Sequence, residues 1–176
     1  MKKDNDNAGT AAIESAPTSQ TIPNNLQNGI SEKLVNEDDY LKLSRLVIEH
    51  TFRADHDRSD TLFELYAGNG ELTLPGITLR GREAIREWGQ RIVENAPWRI
   101  IRHVCGNMRF VSTGPDTAEG VVILTVFMVA GQDNATTLPL TVGEDHDRYI
   151  RTEEGWKFLS RNWMELFSRG DVLNVH

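Results

Sequence analysis

The spacing of apolar residues changes once along the chain, from a helical period to the period of two that is typical of strands. Apolar or small residues recur every three or four positions from Tyr40 to Ala54, which predicts an amphipathic first helix. Asn36 is a favourable N-cap residue, and acidic residues follow it directly. The helix therefore begins at Asn36 and, at about 20 residues, ends around Asp57.

Two more helices are predicted before the period changes. A short one begins at the cap residue Asp60 and runs to Tyr66, and residues 67–70 end it as a turn. Residues 71–76 are typical of a short strand and its turn. A third helix covers residues 82–94.

Four long strands are predicted next, over Trp98–Ser112, Ala118–Ala130, Leu138–Arg151 and Trp156–Phe167. Turn residues separate them, so they form an antiparallel meander. Three helices in the N-terminal half, followed by a meander, predict an α+β domain with the helices on one face of the sheet.

Residues 1–35 differ from the rest of the chain in composition. Small and polar residues dominate them, aromatic residues are absent, and the few apolar residues follow no period. Such a segment buries too little apolar surface to offset its ordering entropy, so we predict a disordered polar extension. The folded domain then covers residues 36–170, and residues 171–176 form a C-terminal tail.

Charge and cysteine content exclude several classes of partner. The 176 residues carry a net charge of −7, and an acidic surface repels phosphate backbones, so we predict no nucleic-acid partner. The longest apolar run, residues 121–131, is too short to cross a bilayer, so no membrane partner is predicted. A single cysteine, Cys105, allows neither an internal disulfide nor a cysteine-built zinc site, which favours a cytoplasmic location.

Asp57 is the first candidate for chemistry. It follows Ala54 and Val47 at helical spacing, so it turns towards the apolar side of the first helix. A carboxylate there needs a partner, because burying it alone costs several kcal/mol. The alternative is that Asp57 and Asp60 only end one helix and cap the next.

His103 is the second candidate. Strand alternation places it on one face with Ile101 and Cys105. A carboxylate bonded to one imidazole nitrogen leaves the other nitrogen free to take a proton from a substrate. We therefore predict an Asp57–His103 dyad between the first helix and the sheet, with a buried structural pair as the alternative.

Two Asp-His-Asp triplets, residues 55–57 and 145–147, contain residue types that ligate metals. Adjacent residues project in different directions, however, so neither triplet converges on one ion. We predict no metal site and no cofactor.

Four segments resemble the SnoaL-like domains of the nuclear-transport-factor-2-like superfamily: Phe52–Asp60, Leu79–Ile85, Arg102–Asn107 and Asp147–Phe158. The resemblance covers the chain from about Asp38 to Phe167. It implies a cone-shaped, curved antiparallel sheet around a pocket that the helices close, and a homodimer formed through the sheet.

The resemblance also implies roles for single residues. In scytalone dehydratase and hexachlorocyclohexane dehydrochlorinase, an Asp near the end of the first helix pairs with a His on the strand after the third helix. Asp57 and His103 occupy those places here. The dehydrochlorinase has an arginine before its Gly-x-Trp-like turn, and Arg151, at that position, would favour a departing anion.

Five residues complete the predicted site as substrate-binding groups: Phe52, Tyr66, Trp88, Tyr149 and Asp147. Phe52 stands where a polarising aromatic residue is common in the family. Tyr66 and Trp88 are predicted in the pocket wall, and Tyr149 is predicted to meet developing negative charge.

Together these residues predict a cofactor-independent lyase, isomerase or cyclase, dehydratase-like, that acts on a small hydrophobic oxygenated molecule by acid–base catalysis. Two alternatives remain open. One is a non-catalytic ligand-binding or dimeric interaction module on the same fold. The other is an epoxide-hydrolase-like enzyme that activates water with acids of the pocket.

Overall fold

The computed structural model describes residues 33–95, 99–130 and 139–168, and it contains three helices and six strands. The helices are α1 (Glu37–Asp55), a 3-10 helix (Ser59–Leu65) and α2 (Gly81–Asn95). The strands are β1 (Tyr66–Leu74), β2 (Ile77–Arg80), β3 (Arg99–Gly114), β4 (Thr117–Ala130), β5 (Thr141–Thr152) and β6 (Gly155–Ser168).

The strands form one mixed, curved, open sheet in the order β2-β1-β6-β5-β4-β3. The predicted antiparallel meander is confirmed in β3 to β6, where each strand pairs with the next one along the chain. β1 joins the meander by pairing parallel to β6, and β2 pairs antiparallel to β1. The α+β class with helices in the N-terminal half is confirmed.

The predicted turn at residues 67–70 is wrong, because these residues lie inside β1. Their glycines accommodate an irregularity in the pairing of β1 with β6, between Tyr66 and Glu71. A Cβ added at Gly70 would lie 2.8 Å from Tyr66 Cβ and 3.1 Å from the Phe158 carbonyl oxygen. Gly70, which in the sequence is typical of a helix stop, therefore permits a close approach between two strands.

Residues 33–35, which the prediction places in the N-terminal extension, contact β3. Leu34 forms a bridge with Val111, and the Ser112 N–H donates to the Lys33 carbonyl at 2.8 Å. The remainder of the predicted extension stays a prediction. Its residues 1–32 lie outside the described residues, as do Trp98, the predicted turn at 131–137 and the predicted tail at 171–176.

Helix α1 begins as predicted and ends two residues early. The Asn36 side chain accepts a hydrogen bond from the Asp39 backbone N–H at 2.9 Å, which caps the helix. Leu43, Val47 and Thr51 form its buried stripe. The last helical residue is Asp55, and the chain then turns away through Asp57.

Helix α2 packs closely on the 3-10 helix through Gly89. A Cβ at that position would lie 2.0 Å from the Ser59 carbonyl oxygen, so only glycine permits this approach. Such packing holds both short elements beside the inner face of the sheet, where the apolar core lies. On β5, however, the buried positions include two carboxylates, Asp145 and Asp147. The interior is therefore partly polar.

Candidate active site

Asp55 and His103 form the most complete acid–base arrangement among the described residues. One carboxylate oxygen of Asp55 lies 2.5 Å from His103 Nδ1, and the other accepts a hydrogen bond from the His103 backbone N–H at 2.9 Å. The Asp55 side chain is 8% exposed and that of His103 is 18% exposed. The pair is thus held between α1 and β3, and the imidazole keeps access to solvent.

Helix and strand geometry explain why these two residues meet. Asp55 follows Val47 and Thr51 at intervals of four, so it continues the buried stripe of α1. Thr51 Oγ1 lies 3.5 Å from the Sγ atom of Cys105, two residues from His103 on the same face of β3. From Thr51 to Asp55 the helix rises about 6 Å, and from Cys105 to His103 the strand advances about 7 Å. The contact between Thr51 and Cys105 therefore places Asp55 beside His103.

The predicted contact between Asp57 and His103 is wrong. Asp57 is exposed beyond the end of α1 and has a φ of 55°, in the left-handed region. The prediction assumed that the helix continues to residue 57, whereas helical geometry stops at Asp55. The interval of four residues that joins Val47, Thr51 and Asp55 was the signal in the sequence that would have identified the correct carboxylate.

The geometry of the dyad suits proton abstraction. Because Asp55 accepts from Nδ1–H, the neutral imidazole of His103 carries its lone pair on Nε2. A proton taken up at Nε2 would give an imidazolium that the Asp55 carboxylate stabilises. This is the arrangement of a general base with an orienting acid.

A second polar cluster lies deeper in the interior, around Arg161 of β6. Arg161 Nη2 is 2.7 Å from Asp145 Oδ2, and Nε is 3.3 Å from Asp147 Oδ1. The guanidinium also lies over the Phe158 ring, 4.8 Å from its centroid, and Arg161 as a whole is 2% exposed. Despite these short distances, none of its three nitrogens meets strict hydrogen-bond geometry with an acceptor in the described part of the chain.

The predicted substrate-binding residues Asp147 and Tyr149 belong to this Arg161 cluster. The Tyr149 hydroxyl donates to Asp147 Oδ2 at 2.7 Å. Burial raises the pKa of Asp147 to about 7, although Arg161 opposes the shift. Burial also raises the pKa of Asp145, and the positive charge of Arg161 opposes this shift.

Sequence analysis assigned no role to Arg161 or Asp145. The period of two on β5 places Asp145 and Asp147 on the same face, which was visible in the sequence. That Arg161 lies beside them depends on the register of β5 with β6, in which Asp147 pairs with Arg161. Register across a hairpin cannot be read from one strand alone.

Tyr66, predicted in the pocket wall, is fully buried and bonds to a histidine of α1. Its hydroxyl lies 3.0 Å from His50 Nε2. Burial, with a contribution from Arg161, holds the pKa of His50 well below its usual value, so this imidazole is neutral. Burial raises the pKa of Tyr66 well above its usual value, so the phenol keeps its proton.

Arg151 does not lie at the dyad. Its Nη2 donates to both carboxylate oxygens of Asp39 at 2.8 Å, and its guanidinium lies 4.4 Å from the centroid of the Trp156 ring. Through Val126, His103 is level with Thr141, ten residues before Arg151 on β5. Ten strand residues span about 33 Å, so the predicted catalytic role beside His103 is wrong.

The two remaining predicted residues differ in their placement. Phe52 is 46% exposed on the outer side of α1, where its ring stacks on that of His56 with centroids 4.1 Å apart. Its predicted substrate-binding role beside the dyad is wrong, because it lies three residues from Asp55, off the buried stripe. Trp88 is partly buried and packs against the core.

Two surface grooves lie away from the Asp55–His103 dyad and from the Arg161 cluster. One, of about 720 Å³, is lined by residues that include Leu34, Tyr40 and Phe110. The other, of about 230 Å³, adjoins Asp39 and Trp156. We assign the chemistry to the dyad rather than to the grooves, because the base and its orienting carboxylate meet only there.

Within the ranges that the structure describes, no group of three or more His, Cys, Asp or Glu side chains is arranged to hold a metal ion. No helix in the same ranges is long and apolar enough to cross a membrane.

Solved structures with this fold include several proteins from Novosphingobium aromaticivorans. One, provisionally named a scytalone dehydratase, is 14% identical, with a TM-score of 0.67 over 77% of this chain and 89% of its own. Another, an NTF2-like protein with a cystatin-like fold, is 21% identical, with a TM-score of 0.60 over 76% and 85%. A variant of a Mycobacterium tuberculosis protein of unknown function is 19% identical, with a TM-score of 0.65 over 77% and 81%.

At these identities the structural likeness shows the fold alone. A comparison with curated proteins finds no match to this sequence. The family model of the SnoaL-like domain, in contrast, matches residues 37–162, which span α1 to β6 and include both Asp55 and His103. The resemblance predicted from the four segments is confirmed, and the chain belongs to the SnoaL-like domain family.

Proposed function

We propose that this protein is a cofactor-independent lyase, isomerase or cyclase that acts on a small hydrophobic oxygenated molecule. The observation that carries the proposal is the Asp55–His103 dyad, a base and an orienting acid whose imidazole retains access to solvent. The SnoaL-like family, with a scytalone-dehydratase-named structure among its neighbours in fold, supports a cyclase- or dehydratase-like role.

In the proposed reaction, Nε2 of His103 takes a proton from the substrate, and Asp55 stabilises the imidazolium. The same imidazolium then returns the proton, to a leaving hydroxyl in a dehydration or to another carbon in an isomerisation. Positioned acid–base catalysis of this kind contributes about 10²–10⁴-fold to a rate. The polar interior around Tyr66 and Arg161 would supply electrostatic stabilisation.

A non-catalytic role for the pair is the second candidate, and one observation favours it. Asp55 accepts a hydrogen bond from the backbone N–H of His103 as well as contacting its ring. This bond ties the end of α1 to β3 whether or not the imidazole reacts. In that case the fold would bind a small ligand without turning it over.

Solvent deuterium exchange separates the two candidates without knowledge of the product. A panel of cyclic and aromatic ketones, including β-hydroxy ketones, is incubated with the protein in D₂O, and deuterium uptake at carbon is followed by NMR. We expect exchange or dehydration of at least one compound class, and its loss in His103→Gln. The matched control is His146→Gln. His146 lies on β5, on the face of the sheet opposite to His103, and its ring bonds to Glu144.

The outcomes are distinct. Turnover by the wild type and by His146→Gln, with a loss of about 10²-fold or more in His103→Gln, supports the enzyme. A His103→Gln protein that melts at lower temperature but exchanges the same protons at the same rate supports the structural pair. Equal melting curves for both variants ensure that lost exchange reflects lost chemistry.

We also propose that the protein forms a homodimer through its sheet. Ile100 and Val104 of β3 are 58% and 55% exposed, on the face opposite to His103. Exposed apolar residues on a sheet face favour an association surface. Sedimentation of the wild type and of Val104→Lys tests this: a dimer that the substitution converts to a monomer is expected, and a wild-type monomer contradicts it.

A further inference from the structure

Helix α1 carries apolar residues on the face that it turns away from the core. Leu41, Ile48 and Phe52 follow one another at intervals of seven and four residues, so they form one stripe, here called the outer stripe. These side chains are 56%, 52% and 46% exposed, on a face where a surface helix usually presents polar residues. Because the opposite face of α1 packs on the core, the outer stripe is a second apolar surface, and such surfaces are typical of interaction sites.

The outer stripe begins at the larger of the two surface grooves. Leu41 belongs to both, and the groove, of about 720 Å³, is lined mainly by apolar side chains that include Leu34 and Tyr40. Its other wall is residues 107–110 of β3, where the pairing with β4 shifts by one residue. Such a bulge bends the strand. The N-terminal end of α1 thus lies beside a recess whose volume is in the range of small-molecule pockets, enough for a pair of aromatic rings.

The other end of the outer stripe is a projection rather than a recess. The ring of Phe52 stacks on that of His56, and the His56 Nδ1–H donates to the Phe52 carbonyl oxygen at 2.7 Å. These two contacts hold the rings in one orientation although both side chains are exposed. Exposed rings that are already fixed lose little conformational entropy when they are buried, which favours their use in an interface.

We propose that two copies of this chain associate through α1, with the two helices antiparallel and the Phe52–His56 stack of each copy seated in the groove of the other. Leu41 and Phe52 are eleven residues apart, or about 17 Å along the helix axis. An antiparallel pair therefore brings Leu41 of each copy beside Phe52 of the other, and Ile48 beside Arg45. Every contact then occurs twice, and association closes at two copies. This inference rests neither on the dyad nor on the contact through the sheet.

The charges beside the outer stripe are complementary in this orientation. Lys42 and Glu49 flank the stripe on the same side, and both are partly exposed. An antiparallel pair puts Lys42 of each copy within reach of Glu49 of the other, whereas a parallel pair in register would put each charge level with its like. Arg45 lies within the stripe. Its long apolar stem can cover Ile48 of the second copy while its guanidinium reaches Glu49 there.

A lipid surface fits the outer stripe less well. Helices that lie on membranes carry mainly lysine and arginine on their polar face. The face of α1 around the stripe instead includes the acidic residues Glu37, Asp38 and Glu49. The mixture of signs favours a second copy as the occupant.

The first test separates this contact from the one through the sheet. A single helix pair buries less than the ~1,600 Å² of a standard interface, so we expect a dissociation constant of about 10⁻⁴ M. Sedimentation of Val104→Lys, in which the sheet contact is removed, should therefore show a monomer at about 10⁻⁶ M and a dimer towards about 10⁻³ M. Adding Ile48→Glu should weaken this dimer by about tenfold or more, because a carboxylate then meets an apolar surface. The matched control adds Ile77→Glu, at an exposed isoleucine of β2, and should dimerise like the parent.

Charge reversal tests the antiparallel orientation. In the Val104→Lys protein, Lys42→Glu sets two carboxylates against each other across the helix pair, and Glu49→Lys sets two ammonium groups against each other. We expect each variant alone to dimerise about 3- to 30-fold more weakly. An equimolar mixture of the two restores opposite charges at both places in the mixed dimer, so it should associate nearly as tightly as the parent. Effects within one chain are the same in the mixture and in the separate samples, so they cannot produce this recovery.

The outcomes are distinct. Association that Ile48→Glu weakens and that the mixture recovers supports the proposal. A protein that stays monomeric up to about 10⁻³ M overturns it, as does a dimer that Ile48→Glu leaves unchanged. A mixture that associates no more tightly than either variant overturns the antiparallel pairing. Binding of the wild type to phosphatidylcholine–phosphatidylglycerol vesicles, lost in Ile48→Glu and without self-association, would assign the stripe to a lipid surface instead. The deuterium exchange of His103→Gln tests the enzyme separately.

Discussion

Replacing Asp55 by asparagine tests the dyad by a change of shape so small that the fold should tolerate it. The wild-type carboxylate accepts two hydrogen bonds, from His103 Nδ1–H and from the His103 backbone N–H. An asparagine side chain has one acceptor oxygen and one NH₂ donor, so it cannot accept both. The backbone N–H is always a donor and takes the oxygen, which leaves the NH₂ group facing the imidazole.

The consequence is a change of tautomer. In Asp55→Asn the imidazole must accept at Nδ1, so its proton moves to Nε2, the nitrogen that was available to the substrate. A base that already carries a proton at the reactive nitrogen cannot take another without becoming charged, and the stabilising carboxylate is gone. We expect turnover to fall by about 10²–10⁴-fold, or about 2.7–5.5 kcal/mol in activation free energy. The same carboxylate-to-amide change in a Ser-His-Asp triad lowers turnover by about 10⁴-fold.

Long-range ¹H–¹⁵N NMR of the histidine rings measures the tautomer without any substrate. We expect His103 to carry its proton on Nδ1 in the wild type and on Nε2 in Asp55→Asn, with a loss of stability of about 1 kcal/mol. Asp57→Asn is the matched control, because Asp57 is exposed and its φ of 55° suits asparagine. An unchanged tautomer, or unchanged turnover with a changed tautomer, would refute this account of the dyad.

Three further predictions concern groups outside the dyad. Arg151→Ala should lower the free energy of unfolding by about 1.5–3 kcal/mol, because Asp39 loses a two-oxygen contact, and should leave turnover unchanged; impaired turnover at full stability would contradict this. Because burial raises the pKa of Asp147 to about 7, above 3.8 for the ordinary group, the folded state binds the extra proton between these values. The free energy of unfolding should therefore fall as the pH rises through that window, and Asp147→Asn should flatten this pH dependence when urea titrations are repeated across it. Equal pH dependence in the two proteins would disprove the assignment. Gly89→Ala should cost about 1–3 kcal/mol by thermal unfolding despite the better helix propensity of alanine, because its Cβ would meet the Ser59 carbonyl, whereas exposed Gln90→Ala should not; a neutral Gly89→Ala would show that the two helices can separate.

The elements that depend on local pattern were predictable. The N-cap at Asn36, the apolar stripe of α1 and the period of two in the four long strands are each encoded within a few neighbouring residues. The inward direction of His103 followed from the same alternation. Such features need no knowledge of the partner element, because φ, ψ preferences and side-chain periodicity are properties of the segment itself.

The pairing of distant groups depended on where elements end and how they align. Ending α1 at Asp55 rather than Asp57 changed which carboxylate meets His103, since two residues rotate a helical side chain by more than half a turn. The register of β5 with β6 brought Arg161 beside Asp145 and Asp147, and the fold carried Arg151 to Asp39 at the other end of β5. The sequence alone determined the elements and, along the strands, which chemical groups face the interior. Only tertiary packing decided which of them touch, because contacts between elements depend on long-range docking and register that no local segment encodes.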